Sequence, residues 1–255
     1  MTARPTVNPT ACLIVIGDEI LSGRTQDANL KYLGERLAAL GIPLREARVV
    51  PDVAAEIVAA VNAARARYTY VFTTGGIGPT HDDITTECVA QAFGCGVVRH
   101  PDAERRLRDY YGNKVNEMRL RMALVPDHPD VTLIDNHISV APGYRVGNVY
   151  VLAGVPAVAR AMFEAVAPGL AGGDPVYAQS IDAHVREGDL AGPLAEIQAG
   201  HPATTIGSYP FMRHDTLGTS VVVRSTDKAA IAAAIAAVDA AMRALGGAPF
   251  TSPAP

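Results

Sequence analysis

Apolar positions over the first 170 residues alternate between short unbroken runs and helical stripes. Ala11 to Ile16 is an uninterrupted apolar run ending at Gly17, as expected of a strand covered on both faces. Leu30, Leu33, Leu37 and Leu40 recur at helical spacing, and Gly41 supplies the stop before the strand-like stretch Pro43 to Val50. Asp52 then opens a helix with Ile57, Val58 and Val61 on its apolar face, and Tyr70 to Thr74 reads as a third buried strand. This alternation predicts an α/β fold with a mainly parallel sheet, helices on both faces and ligands at the carboxyl ends of the strands. Past Gly94 the pattern predicts a short Val97-Val98 strand, a polar helix from Asp102 to about Met122, strands at Val131 to Ile134 and Asn148 to Leu152 that add a hairpin, and a helix from Pro156 to Val166.

Pro168-Gly169-Leu170-Ala171-Gly172-Gly173-Asp174-Pro175 has the composition of a domain boundary. Beyond it, Tyr177 to Ile181, a helix with Leu190, Leu194 and Ile197, strands Thr204 to Tyr209 and Gly218 to Arg224, and an Ala-rich helix from Lys228 to Leu245 predict a small β-α-β-β-α module over 175–246. Residues 247–255 are expected to be a disordered tail.

The segment from Tyr70 to Thr85 carries the chemistry. Gly75, Gly76 and Gly78 permit backbone angles closed to other residues and let a ligand approach, their amides can receive an anion, and Pro79 stiffens the loop. Thr80, Asp82 and Asp83 follow, and adjacent carboxylates beside a phosphate loop point to a bridging cation or an adenylate-type reaction. Capping of the next helix by Asp82 or Thr80 is the plain structural alternative. The dinucleotide fingerprint fails because His81 stands where glycine is needed, and no Gly-Lys-Ser/Thr follows as a P-loop would require. Asp18 and Glu19 follow the first strand, Asp52 the second and Asp82 with Asp83 the third, so these carboxylates are expected on one rim.

Composition narrows the partners. With 22 Lys plus Arg against 26 Asp plus Glu, the net charge of −4 provides no basic field for nucleic acid or anionic lipid, which leaves a small ligand. Gly169-Leu170-Ala171-Gly172 lies in the linker and the small module has no clustered Lys or Arg, which argues against RNA binding of the KH kind. Cys12, Cys88 and Cys95 show no Cys-x-x-Cys spacing and read as inert thiols. Met1 to Pro9 resembles neither a signal peptide nor a membrane span, so a cytoplasmic location is expected. Asp18 and Glu19 either approach a metal or order their loop, Asp27 suits a helix cap, and His81 is a general base or a solvated side chain. Asn116, Arg119 and Arg121 either meet a second phosphate or line a solvated helix face, whereas Ser208 and Tyr209 lack a nucleophile-elbow frame.

Ile16-Gly17-Asp18-Glu19-Ile20-Leu21-Ser22-Gly23 with Asp27 and Asn29, then Thr74 to Thr85, Ala141-Pro142-Gly143 and Gly154-Val155-Pro156, resemble the molybdopterin-binding domain of competence/damage-inducible protein A over about residues 10–170. The resemblance implies a three-layer MoaB/Mog-like α/β/α fold followed by a small α+β domain. It implies that Asp52 and Asp83 hold a divalent metal ion (Mg, Mn or Co) and the phosphate of a pterin or nucleotide. Gly75, Gly76, Gly78, Thr80, Asp82, Asp18, Glu19, Pro142 and Gly143 are then the expected ligand contacts, with molybdopterin as one possible ligand. Relatives look like metal-dependent hydrolases of nucleotide pyrophosphates such as ADP-ribose or FAD. The alternatives are a binding module without turnover, or adenylyl transfer in molybdenum-cofactor synthesis. About 80 residues after the linker are too few for the amidase domain of full-length members, so no amidase activity is expected. Ala153 where many relatives have proline, Ala157-Val158 after Pro156, and Asn136-His137-Ile138-Ser139-Val140 before Ala141 depart from the family pattern. A homo-oligomer, dimer or trimer, is expected because relatives associate and the C-terminal Ala/Ile/Val helix has little else to cover it.

Overall fold

The computed structural model describes residues 8–213 and 215–251, arranged in two compact units, Met1–Gly173 and Asp174–Pro255. Most of the Met1 to Pro9 stretch lies outside the described residues.

In the first unit, β1 (Ala11–Ile16) pairs in parallel with β2 (Leu44–Val50) and β3 (Tyr70–Thr74), and β3 pairs in parallel with β8 (Val149–Leu152). Antiparallel β7 (Gly143–Val146) and β6 (Thr132–Ile134) complete a six-stranded sheet of order β2-β1-β3-β8-β7-β6. The unbroken apolar run of β1 has a direct cause. Cys12, Ile14 and Ile16 pack in the cluster that includes Ile57 and Val61 of α3 (Ala54–Arg67) and Val89 of α4 (Thr85–Ala92). Ala11, Leu13 and Val15 face the opposite layer, with Leu33 and Leu37 of α2 (Asn29–Ala39) and Phe163 of α7 (Pro156–Val166). A strand buried on both sides has no solvent face for polar residues. Phe72 and Phe163, both fully buried, meet edge to face at 5.5 Å, and each such side chain contributes about 1.5–3 kcal/mol by leaving water.

The polar stretch expected to be one helix is broken. It forms α5 (Pro101–Tyr111), a 3₁₀ turn at Gly112–Lys114, α6 (Glu117–Leu120) and a second 3₁₀ turn at Arg121–Ala123. Gly112 ends α5 at φ +49°, and the Asn116 side chain accepts the Arg119 amide at 2.9 Å to cap α6. Strand β7 was also hidden, since Pro142-Gly143 reads as a turn while Gly143 is already paired with Ile134.

The second unit has β9 (Tyr177–Ala183), α8 (Glu187–Gly200), β10 (Thr205–Arg213), β11 (Thr216–Ser225) and α9 (Lys228–Ala244), with antiparallel sheet order β10-β11-β9. Ile231, Ala234, Val238 and Met242 of α9 are buried with Leu190 of α8 and Val221 of β11. The apolar helix is therefore covered within its own module, and the oligomer expectation loses that support. The expected disordered tail begins later than anticipated: Phe250 exchanges two backbone hydrogen bonds with Asp182, at 2.8 and 2.9 Å, and its ring lies 5.8 Å from His184. Residues 252–255 of that tail lie outside the described residues. Burial pushes the Cys12 and Cys88 thiols up to about 11, as expected of inert cysteines. No helix among the described residues is long and apolar enough to cross a membrane.

Candidate functional site

The carboxyl ends of β1, β3 and β8 meet at one cleft of about 540 Å³. Its floor is the glycine loop. Thr85 staples that loop from below, its hydroxyl donating to the Gly75 carbonyl at 2.9 Å and its amide to the Gly76 carbonyl at 3.0 Å. Gly75 (φ +103°) and Gly76 (φ +68°) have left-handed backbones, and a Cβ on them would stand 2.1 Å from the Ile16 carbonyl and 2.2 Å from the Thr85 hydroxyl. A Cβ on Gly78 would lie 2.6 Å from Asp83 Oδ2. The glycines are thus required by contacts inside the protein, a correction to the expectation that they clear room for the ligand. The Gly75 amide is used up by the Leu152 carbonyl at 3.3 Å, whereas those of Gly76, Ile77 and Gly78 donate to no acceptor among the described residues. These three amides are the available anion receptors.

The carboxylates divide into two groups. Asp83 braces the loop: its Oδ2 accepts the Thr80 amide at 2.8 Å and the Thr80 hydroxyl. Neither Asp82 nor Thr80 caps α4, which starts at Thr85 without a side-chain cap. Asp52, at the end of β2, reaches across to β1, where its Oδ2 accepts the Asp18 amide at 2.9 Å. Partial burial raises the Asp52 carboxyl above its ordinary value, and the neighbouring charges of Asp18, Glu19 and Asp82 raise it further against that hydrogen bond. Glu19 folds back over Gly17, where a Cβ would meet its carboxylate at 2.6 Å, and lines the cleft together with Asp83. No group of three or more His, Cys, Asp or Glu among the described residues is arranged as a metal site.

Pro142 and Gly143 are not at the cleft surface. Both are buried, and a Cβ on Gly143 would be 2.4 Å from the Val151 carbonyl, so close strand packing explains that glycine. Ser139 and Ala141, just before them, form the wall instead. Asn136 holds that wall by accepting the Ile138 and Ser139 amides and donating to the Ala141 carbonyl. Arg121 donates to the Asp83 carbonyl at 3.0 Å and to Glu87 at 2.9 Å, fixing the loop backbone rather than awaiting a phosphate. Arg119 lies 4.4 Å over the Tyr111 ring and donates to the Lys114 carbonyl, and His81 is exposed. Asp27 accepts the Leu30 amide at 2.7 Å, Ser208 donates to Glu187 at 2.7 Å, and Tyr209 is an exposed residue of β10.

Sequence reasoning missed the apolar walls: Met122, Val155, Val158 and Met162. Val155 lay within a quoted motif, but nothing local separates Met122 or Met162 from core residues. The two loops meet where a Cβ on Gly154 would be 3.2 Å from Gly75 Cα, and the buried Asn29 amide donates to the Gly154 carbonyl at 3.0 Å.

Residues 12–172 match the family described as "Probable molybdopterin binding domain", and residues 175–246 match "FAD synthase, middle domain". A protein of Pyrobaculum calidifontis is 35% identical over 214 residues, covering 79% of this chain and 81% of its own. A probable FAD synthase of Caenorhabditis briggsae is 30% identical over 247 residues, 87% of this chain and 47% of its own, and a CinA-like protein of Gloeobacter violaceus is 31% identical over 251 residues, 94% and 58%. This chain therefore spans only about half the length of those two relatives. The crystal structure of the protein CinA with unknown function from Thermoplasma acidophilum superposes with a TM-score of 0.59 at 34% identity, covering 64% of this chain and 98% of its own. With the sheet order, the glycine loop and the carboxylate rim in agreement, the chain belongs to the family of probable molybdopterin binding domains, in the branch that includes the CinA-like proteins, and carries a FAD synthase middle domain after it.

Proposed function

We propose that the chain binds a nucleotide or pterin in the glycine-loop cleft and, with a divalent cation (Mg²⁺, Mn²⁺ or Co²⁺), hydrolyses a nucleotide pyrophosphate of the ADP-ribose or FAD type. One observation carries this reading. The cleft has apolar walls suited to a flat ring, Glu19 and Asp83 as its charged lining, and no Lys, Arg or His among its lining residues. A phosphate entering it meets the amides of Gly76, Ile77 and Gly78 and is repelled by the carboxylates unless a cation lies between. Asp52 with Asp18, Glu19 or Asp82 would supply one or two carboxylates, which suits a cation that completes its shell with phosphate oxygens and water. Such a cation, when bound, neutralises phosphate charge and acidifies a bound water. In this reading Asp83 shapes the loop while Asp52 anchors the cation site, so the two aspartates have separate roles. Water oxygen bonds to one phosphorus, the bridging oxygen leaves, and two monophosphates result.

The lack of a three-residue metal set among the described residues favours a second reading, a module that binds its ligand without turnover. Incubation with ADP-ribose, FAD and NAD, each with Mg²⁺, Mn²⁺ or Co²⁺, followed by chromatography for monophosphate products, separates the two. Measurable binding without product in every pair establishes the binding module, and ATP consumption dependent on molybdopterin would mean adenylyl transfer. Association into a dimer or trimer rests on the family resemblance alone. Light scattering that finds only a 26.7 kDa species at micromolar concentration removes it.

A further inference from the structure

A second cavity of about 490 Å³ opens on the first unit, lined by Gln26, Asp27, Lys31, Tyr32, Glu35 and Arg160 among others. It adjoins the cleft along two walls. Thr25 lines the cleft and the next residue, Gln26, lines the cavity; on α7, Pro156 lines the cleft and Arg160 lines the cavity. Pro156 and Arg160 are four positions apart on one helix face, a rise of about 6 Å.

Arg160 has an unusual setting. Glu164 stands four residues further along α7, the spacing at which an arginine and a glutamate ordinarily pair. Glu164 is already engaged by Arg36, whose Nε and Nη2 reach it at 2.7 and 2.8 Å, and by the Tyr32 hydroxyl. The exposed Arg160 instead places its guanidinium carbon 5.0 Å from the centre of the Tyr32 ring, with no carboxylate partner among the described residues. Lys31 is 4.0 Å from Glu35, and both side chains are about two-thirds exposed, so that pair holds its cation weakly. A guanidinium steadied on an aromatic face with its donors unused matches a phosphate.

We infer that this cavity is a second subsite, taking the distal sugar-phosphate part of a two-part ligand whose ring fills the glycine-loop cleft. Arg160 receives the phosphate that the cation-free cleft wall does not, while Gln26 and Glu35 can accept from sugar hydroxyls. The inference rests on the ligand reading proposed above. It is tested by calorimetry with ADP-ribose and with AMP, in Mg²⁺, on the wild type, Arg160→Ala and Arg160→Lys. Arg160→Ala is expected to weaken ADP-ribose binding about tenfold and AMP binding less than about twofold, with Arg160→Lys between, because the lost interaction is a charge-assisted fork. The exposed position should leave the thermal midpoint unchanged. Unaltered ADP-ribose affinity in Arg160→Ala, or equal losses for both ligands, overturns the subsite while leaving the cleft reading intact. A wild type that binds neither ligand overturns both.

Discussion

Replacing Asp52 by asparagine should separate function from stability, because the structure gives that carboxylate an unfavourable setting. Its pKa is raised by partial burial first and then by Asp18, Glu19 and Asp82. A carboxyl whose folded pKa lies above its unfolded value makes its full contribution to stability below the unfolded value, about 3.9, and loses it as the pH climbs through the folded value. At neutral pH the ionised Asp52 therefore opposes folding. Asparagine removes the charge and keeps an oxygen to accept the Asp18 amide, now held at 2.9 Å. Relief of three partly solvated like-charge contacts, a few tenths of a kcal/mol each, amounts to under about 1 kcal/mol. For a unit of this size that corresponds to a rise of at most about 2–4 °C in thermal midpoint. Turnover of the pyrophosphate substrate, or metal-dependent ligand affinity if there is no turnover, should fall by roughly 10²-fold because cation neutralisation of phosphate is lost. Asp52→Ala should lose function equally and melt lower than Asp52→Asn by about 1 kcal/mol, the worth of the missing acceptor. Calorimetric melts at pH 7 and pH 4 with parallel rate measurements make the comparison, and the asparagine variant's advantage should shrink at pH 4. Wild-type activity and metal dependence in Asp52→Asn, or a midpoint as low as that of Asp52→Ala, would refute the reasoning.

Gly75→Ala combines a left-handed backbone with a Cβ 2.1 Å from a buried carbonyl, so it should destabilise the first unit by roughly 3 kcal/mol or more, read as a drop in its melting transition. Arg121→Ala should raise the KM for the cleft ligand more than it lowers kcat, because the Asp83 carbonyl and Glu87 lose their shared donor at 3.0 and 2.9 Å; Arg121→Lys should recover part of the loss in steady-state kinetics. With their thiols pushed up to about 11 by burial, Cys12 and Cys88 should resist a thiol-specific reagent at pH 8 in the native protein and react promptly in denaturant, as followed by absorbance.

Local sequence was enough for the strand frame and the glycine loop. Ala11 to Ile16 could only be a strand covered on both faces, since six consecutive apolar residues leave no side for water. The Gly75-Gly76-Ile77-Gly78 run could only be a turn at a strand end, although what the glycines avoid became visible only with Ile16, Thr85 and Asp83 in place. The five carboxylates were legible as a rim because the parallel order puts the ends of β1, β2 and β3 together. Their division into a brace at Asp83 and a charged cluster around Asp52 was not, because it depends on which oxygen meets which amide across 34 residues of chain. Gly143 read as a turn because a four-residue strand carries too little alternation to be recognised, and its pairing with Ile134 is a tertiary event. Met122 and Met162 have the same local pattern whether they line a cleft or fill a core. Arg160 is the sharpest case: its own helix offers it Glu164 four residues on, and only the arrival of Arg36 from 128 residues away takes that partner and leaves the guanidinium unpaired. Helical and strand periodicity is set by neighbours within a few residues, whereas competition for a charged partner is set by every segment that folding brings near it.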